Sequence, residues 1–128
     1  MCLLDEVLSW DASRILCRSS SHLSKDNPLR SEGRLRSVCG VEYAAQAMAL
    51  HGALLSDGPI AAGYLVSVRN LKIQVSYLDD LNESLTVDAR RLMGGAEGFM
   101  YEFTVSARKD MLLSGRLTVS LFLRKKDE

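Results

Sequence analysis

Proline is almost missing from this chain. Pro28 and Pro59 are the only two in 128 residues, so most of the sequence is free to run as unbroken helix or strand. Cysteine is scarce as well: Cys2, Cys17 and Cys39 form an odd set with no paired metal-ligand spacing. Neither a disulfide framework nor a metal site is expected from them, whereas a reducing, cytoplasmic setting is. Net charge is absent, 16 basic residues balancing 16 acidic ones. Without a global field the chain is not expected to bind nucleic acid or an anionic membrane surface. Met1 to Trp10 carries acids and no basic stretch, which is not the pattern of a signal peptide. No membrane span is expected either. The one long apolar run, residues 38–55, contains Glu42, Gln46, His51 and two glycines, and it reads as a buried helix instead.

What is present is an ordinary globular composition, 47% hydrophobic and 25% charged, long enough to bury a core as one domain over residues 1–128. "LLDEVLSW" alternates loosely, with Leu4, Leu8 and Trp10 opposite Asp5 and Ser9. With "SRILCRSS" it predicts a hairpin turned at Asp11 and Ala12. Residues 19–37 hold the Ser, Asp, Asn, Pro and Gly of a loop. The helix follows over 38–55 and stops at Ser56-Asp57-Gly58-Pro59. Beyond it the period changes to two. Val66 and Val68 share one face, then Leu71, Ile73 and Val75 the other, and the slip near Asn70 predicts a bulge. Leu85, Val87 and Ala89 form one face of the next strand, and Phe99, Tyr101, Phe103 and Val105 that of the one after. Leu113, Leu117, Val119, Leu121 and Leu123 line the last. The order is β-β-α-β-β-β-β. A helix apolar nearly all round must be buried on several sides, so the pattern predicts an α+β fold: a curved antiparallel sheet wrapped around one long central helix.

That helix carries an anomaly. Glu42 and Gln46, four residues apart, share a face of a run that is otherwise apolar. A carboxyl at the edge of a core costs free energy unless it is paired, hydrogen-bonded or protonated. A glutamate in a first helical turn also has a plain reading, attraction to the helix macrodipole. Cys39 stands at the same N-terminus, where a thiol pKa can fall, though packing is its simpler role. His51 comes nine residues after Glu42, off its face, and is read as structural. By residue type alone, His22 in a serine-rich loop is a solvated histidine. Arg30, Arg34 and Arg36 concentrate positive charge ahead of the helix, either as a solvated loop or as a docking surface for an acidic partner.

The run Glu42-Tyr43-Ala44-Ala45-Gln46, with His22 in the preceding loop and its segment "SHLSKDNPL", resembles the active-site helix and loop histidine of the hotdog-fold 3-hydroxyacyl-[acyl-carrier-protein] dehydratases. The stretches "MCLLDEVLSWD", "DNPLR", "GRL" and "CGVEYAAQAMALHGAL" are more closely similar to the accessory dehydratases of aryl-polyene-type fatty-acid gene clusters, over nearly the whole chain. The resemblance implies a hotdog fold. It also implies dehydration of 3-hydroxyacyl thioesters to 2-enoyl thioesters, in fatty-acid or aryl-polyene-type lipid synthesis. No cofactor is implied beyond the phosphopantetheine of an acyl carrier protein, which carries the substrate and is the expected partner.

Such chemistry needs a base for the α-proton, an acid for the departing hydroxyl and a donor for the thioester carbonyl. The resemblance gives His22 the first role and Glu42 the second, with burial keeping the Glu42 proton in place. Gln46 is expected to orient Glu42. Cys39 and Gly40 belong to the helix start, residues 37–40, whose N–H groups are expected to face the carbonyl. Arg34 and Arg36 are expected to dock the carrier. A homodimer, or a heterodimer with a related hotdog subunit, is expected because one sheet leaves part of the helix uncovered. In the dehydratases the chain resembles, the histidine of one protomer faces the carboxylate of the other. Two further readings stay open: a hotdog acyl thioesterase in which Glu42 activates water, and a non-catalytic hotdog subunit that pairs with an active dehydratase.

Overall fold

The computed structural model describes residues 2–55, 63–95 and 98–121. β1 (Glu6–Trp10) and β2 (Arg14–Ser19) form the predicted hairpin. Asp11 builds its turn: the carboxylate accepts the Ser13 N–H at 2.8 Å and the Ser13 hydroxyl at 3.1 Å, the local bonding that makes aspartate a turn former. After the loop, a 3₁₀ turn over Ser37–Cys39 runs into α1 (Gly40–Leu55). The α-helix thus begins two residues later than predicted, because its first turn is wound more tightly. β3 (Gly63–Ile73), β4 (Leu85–Gly95), β5 (Gly98–Ala107) and β6 (Asp110–Leu121) follow. All six strands pair antiparallel in the order β1-β2-β4-β5-β6-β3, and α1 packs on β2, β4 and β5. This is the hotdog arrangement.

The core follows the two periods. Leu85, Val87 and Ala89 point inward with Tyr101, Phe103 and Val105, and with Leu113 and Leu117 of β6. α1 lays Tyr43, Ala44, Ala47, Met48 and His51 against them, a single stripe at helical spacing whose alanines permit close approach. The tightest point is Gly40. A Cβ there would lie 2.7 Å from Leu113 Cδ2, so a larger residue would lift the helix start off β6.

The departures from expectation lie mostly at the edges. Leu8 and Trp10 do not enter the core; each is 47% exposed. The β1–β2 register shifts between Val7 and Ser9, and among the described residues no strand lies beyond β1. Leu3 and Leu4 take the core positions instead. The slip near Asn70 is present. Asn70 adopts a left-handed φ of 55°, and β3 shifts against β6 between Arg69 and Lys72. β3 is the other edge of the sheet and leaves Val68, Leu71 and Ile73 partly exposed. The predicted stop at Ser56–Pro59 and Leu123 lie outside the described residues, as do the side chains of Val66 and Leu121. Among the described residues, no helix is long and apolar enough to cross a membrane.

Candidate active site

The chain leaves β2 through a 3₁₀ turn, Ser21–Leu23, that carries His22. His22 is not solvated: it is fully buried. Its Nε2 lies 2.8 Å from the Leu81 carbonyl. A carbonyl only accepts, so Nε2 carries the proton and Nδ1 the lone pair. Nδ1 is buried and has no hydrogen-bond partner among the described residues. Burial holds the His22 pKa below the ordinary 6.5, against the raising influence of the backbone at Leu81 and Glu83 and of Asp79. The ring is therefore neutral at pH 7, the form in which it takes a proton. Arg30 fastens the turn by donating to the carbonyls of His22 at 3.0 Å, Ser24 at 2.8 Å and Gly33 at 2.7 Å.

Glu42 stands in the opposite condition. It is exposed, and no hydrogen bond or ion pair joins it to another described residue. The expectation that its own chain buries it is corrected here, since it lies on the helix face away from the stripe of Tyr43, Ala44 and Ala47. Among the described residues no hydrogen bond or ion pair joins Glu42 to His22. Gln46 does not hydrogen-bond Glu42 either. Its Oε1 accepts the Leu3 N–H at 2.7 Å and so ties down the N-terminal segment.

The helix start is more occupied than expected. The N–H of Ser37 goes to the Ser76 carbonyl at 3.0 Å, that of Cys39 to Arg36 at 3.0 Å, and that of Gly40 to Ser37 and Val38. The 3₁₀ turn takes up the Cys39 and Gly40 donors and Ser76 takes that of Ser37, so these three N–H groups are not free for a thioester carbonyl. Cys39 packs partly buried against the core. Burial, and then the Glu42 carboxylate, push its thiol pKa up, so the helix N-terminus does not make it reactive.

The two arginines expected to act together differ. Arg34 donates to Asp79 at 2.8 Å and Asp80 at 2.7 Å and stacks 3.9 Å over the Tyr77 ring. Arg36 bridges to Tyr77 through its backbone and is exposed, with no ion pair among the described residues. A cleft of about 370 Å³ opens beside it, lined by Val38, Ile73, Gln74 and Ser76 among others. His51 is buried with both nitrogens engaged, Nε2 2.7 Å from the Asp11 carbonyl and Nδ1 on the Tyr101 hydroxyl. Sequence reasoning passed over Asp79, which binds Arg34 and the Leu35 N–H, and Tyr43, whose hydroxyl enters the histidine turn. The only signal for Tyr43 was a polar atom inside an apolar run.

Solved structures place this geometry among known proteins. The dehydratase heterocomplex ApeI:P from Xenorhabdus doucetiae superposes with a TM-score of 0.83 at 21% identity, covering 95% of this chain and 84% of that one. A thioesterase variant, PA1618 from Pseudomonas aeruginosa, gives 0.66 at 16% identity over 91% and 79%. The thioesterase HI1161 from Haemophilus influenzae gives 0.68 at 14% over 96% and 82%. At these identities the likeness speaks for the fold. A comparison with curated proteins finds no match. The family is decided by the sequence as a whole: residues 1–122 match the model of the ApeP-like family, ApeP dehydratase, and the chain belongs to that dehydratase family.

Proposed function

We propose that this chain removes water from 3-hydroxyacyl thioesters held on an acyl carrier protein, giving 2-enoyl thioesters, in a site shared between two hotdog subunits. The observation that supports this most is the exposure of Glu42, an acid on a core helix that no hydrogen bond or ion pair joins to another described residue. A second subunit over that surface would desolvate the carboxyl and keep it protonated. The α-proton of the substrate passes to Nδ1 of a neutral imidazole, His22 in this reading. The electrons of that C–H bond form the new double bond as the C–O bond breaks, and Glu42 supplies the proton that lets the hydroxyl leave as water. His22 of one subunit works with Glu42 of the other.

The uncovered β3 edge, with Val68, Leu71 and Ile73, supports pairing of sheets. That the solved ApeI:P dehydratase is a heterocomplex supports a related hotdog subunit as partner. Arg36 and the cleft at the helix start fit an acidic carrier and its phosphorylated arm. Arg34 fits less, its donors being taken by Asp79 and Asp80.

One observation favours a second reading. The free nitrogen of His22 is sealed inside its own chain, and a base must touch its substrate. If pairing does not open it, the chain completes the site of a partner that brings its own base. Co-expression of His22→Ala with Glu42→Gln chains tests both readings. If self-paired chains share the site, each variant is inactive alone. Random mixing then restores about a quarter of wild-type dehydration, since half the dimers are mixed and half their sites intact. A paired enzyme in which His22→Ala retains full activity assigns the base to the partner. Release of free thiol without an enoyl product would make the chain a thioesterase.

A further inference from the structure

Tyr43 follows Glu42 in sequence and is fully buried. Its ring faces the core, while its hydroxyl reaches the turn that carries His22. The acceptors available there give the Tyr43–Ser21 bond a direction, although the neighbouring Ser19 and Ser21 hydroxyls can donate either way. Asn27 Nδ2 donates to the Tyr43 hydroxyl at 3.0 Å and to the Ser21 carbonyl at 2.9 Å. The Ser21 hydroxyl has two acceptors for its proton, the Leu3 carbonyl at 2.7 Å and Ser19 Oγ at 2.9 Å. The Tyr43 hydroxyl already accepts from Asn27 and has Ser21 Oγ for its own proton. Tyr43 therefore donates to Ser21 Oγ, 2.7 Å away. The Leu3 N–H is held in turn by Gln46. The bonds leave α1 at Tyr43, pass through Ser21 and Leu3, and return to α1 at Gln46, three residues on.

Packing alone would be served by phenylalanine, so the oxygen needs a separate reason. It supplies two things. Held inward, Tyr43 sets the rotation of the helix start, and Glu42, one residue and roughly 100° round the axis, is thereby turned outward. Bonded to Ser21, it also fixes the residue next to His22. We infer that Tyr43 is a positioning residue: its hydroxyl locks the His22 turn to the helix that presents Glu42, so that each chain offers its two reacting groups as one rigid piece. The inference rests on the dehydratase reading above. Where the site is shared, the two groups serve different sites, and Tyr43 joins those sites within one chain.

The charges acting on His22 are Asp79 and Arg30, which stand 3.7 Å from each other. Neither is bonded to Tyr43, so a change at Tyr43 reaches His22 through Ser21. The test uses the full chain in its paired, active form. Tyr43→Phe is expected to lower kcat about tenfold with KM little changed, the signature of lost orientation. Proton NMR of the two histidines gives a readout independent of turnover. The His22 titration midpoint is expected to move up toward that of free imidazole as water enters the loosened turn. Ser21→Ala cuts the same link from its other end, so it should give the same shift, and the double variant should add little. Ser21→Ala carries the test if Tyr43→Phe does not fold. A lowered melting temperature with kcat and the His22 midpoint unchanged would overturn the inference and leave Tyr43 merely structural. A wild-type enzyme that dehydrates no thioester defeats the functional reading separately, and the titration then decides whether Tyr43 anchors the turn.

Discussion

The surroundings of His51 and His22 differ by one hydrogen bond. Both rings are fully buried. His51 donates from Nε2 to the Asp11 carbonyl and accepts the Tyr101 hydroxyl at Nδ1, joining the turn of the first hairpin to the helix and β5. His22 spends Nε2 on the Leu81 carbonyl, and its Nδ1 has no hydrogen-bond partner among the described residues. An unsatisfied buried acceptor costs about 1–3 kcal/mol, and a purely structural histidine has no reason to carry that cost. Burial does not distinguish the two residues; the completeness of their bonding does.

The comparison breaks most sharply in activity. In the paired enzyme, His22→Ala is expected to lower dehydration by roughly 10²–10⁴-fold, read as formation of the conjugated enoyl thioester. His51→Ala is expected to act on stability instead. It leaves the Asp11 carbonyl and Tyr101 hydroxyl unpaired beside a new cavity, a loss of roughly 3–5 kcal/mol, seen as a lower urea midpoint. The folded fraction should keep its turnover. A reversal, with His51→Ala stable but inactive, would mean that the bonding criterion assigns the two histidines wrongly.

The arginines repeat the contrast with a smaller expected effect. Arg34 is spent on Asp79 and Asp80, whereas Arg36 is not. Arg36→Glu should raise KM for carrier-bound substrate several-fold, since a rim charge on an acidic partner contributes on the order of 1 kcal/mol. A short thioester without the carrier should react unchanged. Arg34→Glu should instead disturb the fold of residues 30–36, visible as lost stability with either substrate. Equal KM effects on both substrates for Arg36→Glu would remove it from carrier docking.

What was legible in the sequence follows the same division. The strands from β4 to β6 could be read because each has one wet and one dry face, and period two records that directly. Asn70 could be read because the alternation slips there. Leu8 and Trp10 misled because alternation does not say whether a strand lies at an edge, and β1 does. The helix showed as a core helix, but its apolar run hid which face Glu42 occupies. Other bonds around the site join Arg34 to Asp79 and Leu3 to Gln46, residues more than 40 apart. No local pattern encodes such partners. The Cys39 and Gly40 N–H groups looked available because nothing in "RSVCG" announces a 3₁₀ turn that takes them up.

The smallest expected effect concerns pH, and it tests the buried state of His22. His22 has a folded-state pKa below the ordinary 6.5, chiefly through burial. Above pH 6.5 the ring is neutral whether the chain is folded or not, and it adds no pH dependence. Below 6.5 the unfolded chain binds a proton that the folded chain resists. Stability therefore falls as pH drops, until the folded-state pKa is reached. Asp79 acts in a separate and lower window. Burial works to raise its pKa, but the Leu35 N–H and Arg34 outweigh it and hold it below 3.8, so its contribution is lost only in stronger acid. Urea midpoints at pH 7.5 and 5.5 should thus show a drop in the wild-type chain that shrinks in His22→Gln. A drop that survives His22→Gln in full would place the proton-resisting group elsewhere and take from His22 the buried, neutral state that its assignment as base requires.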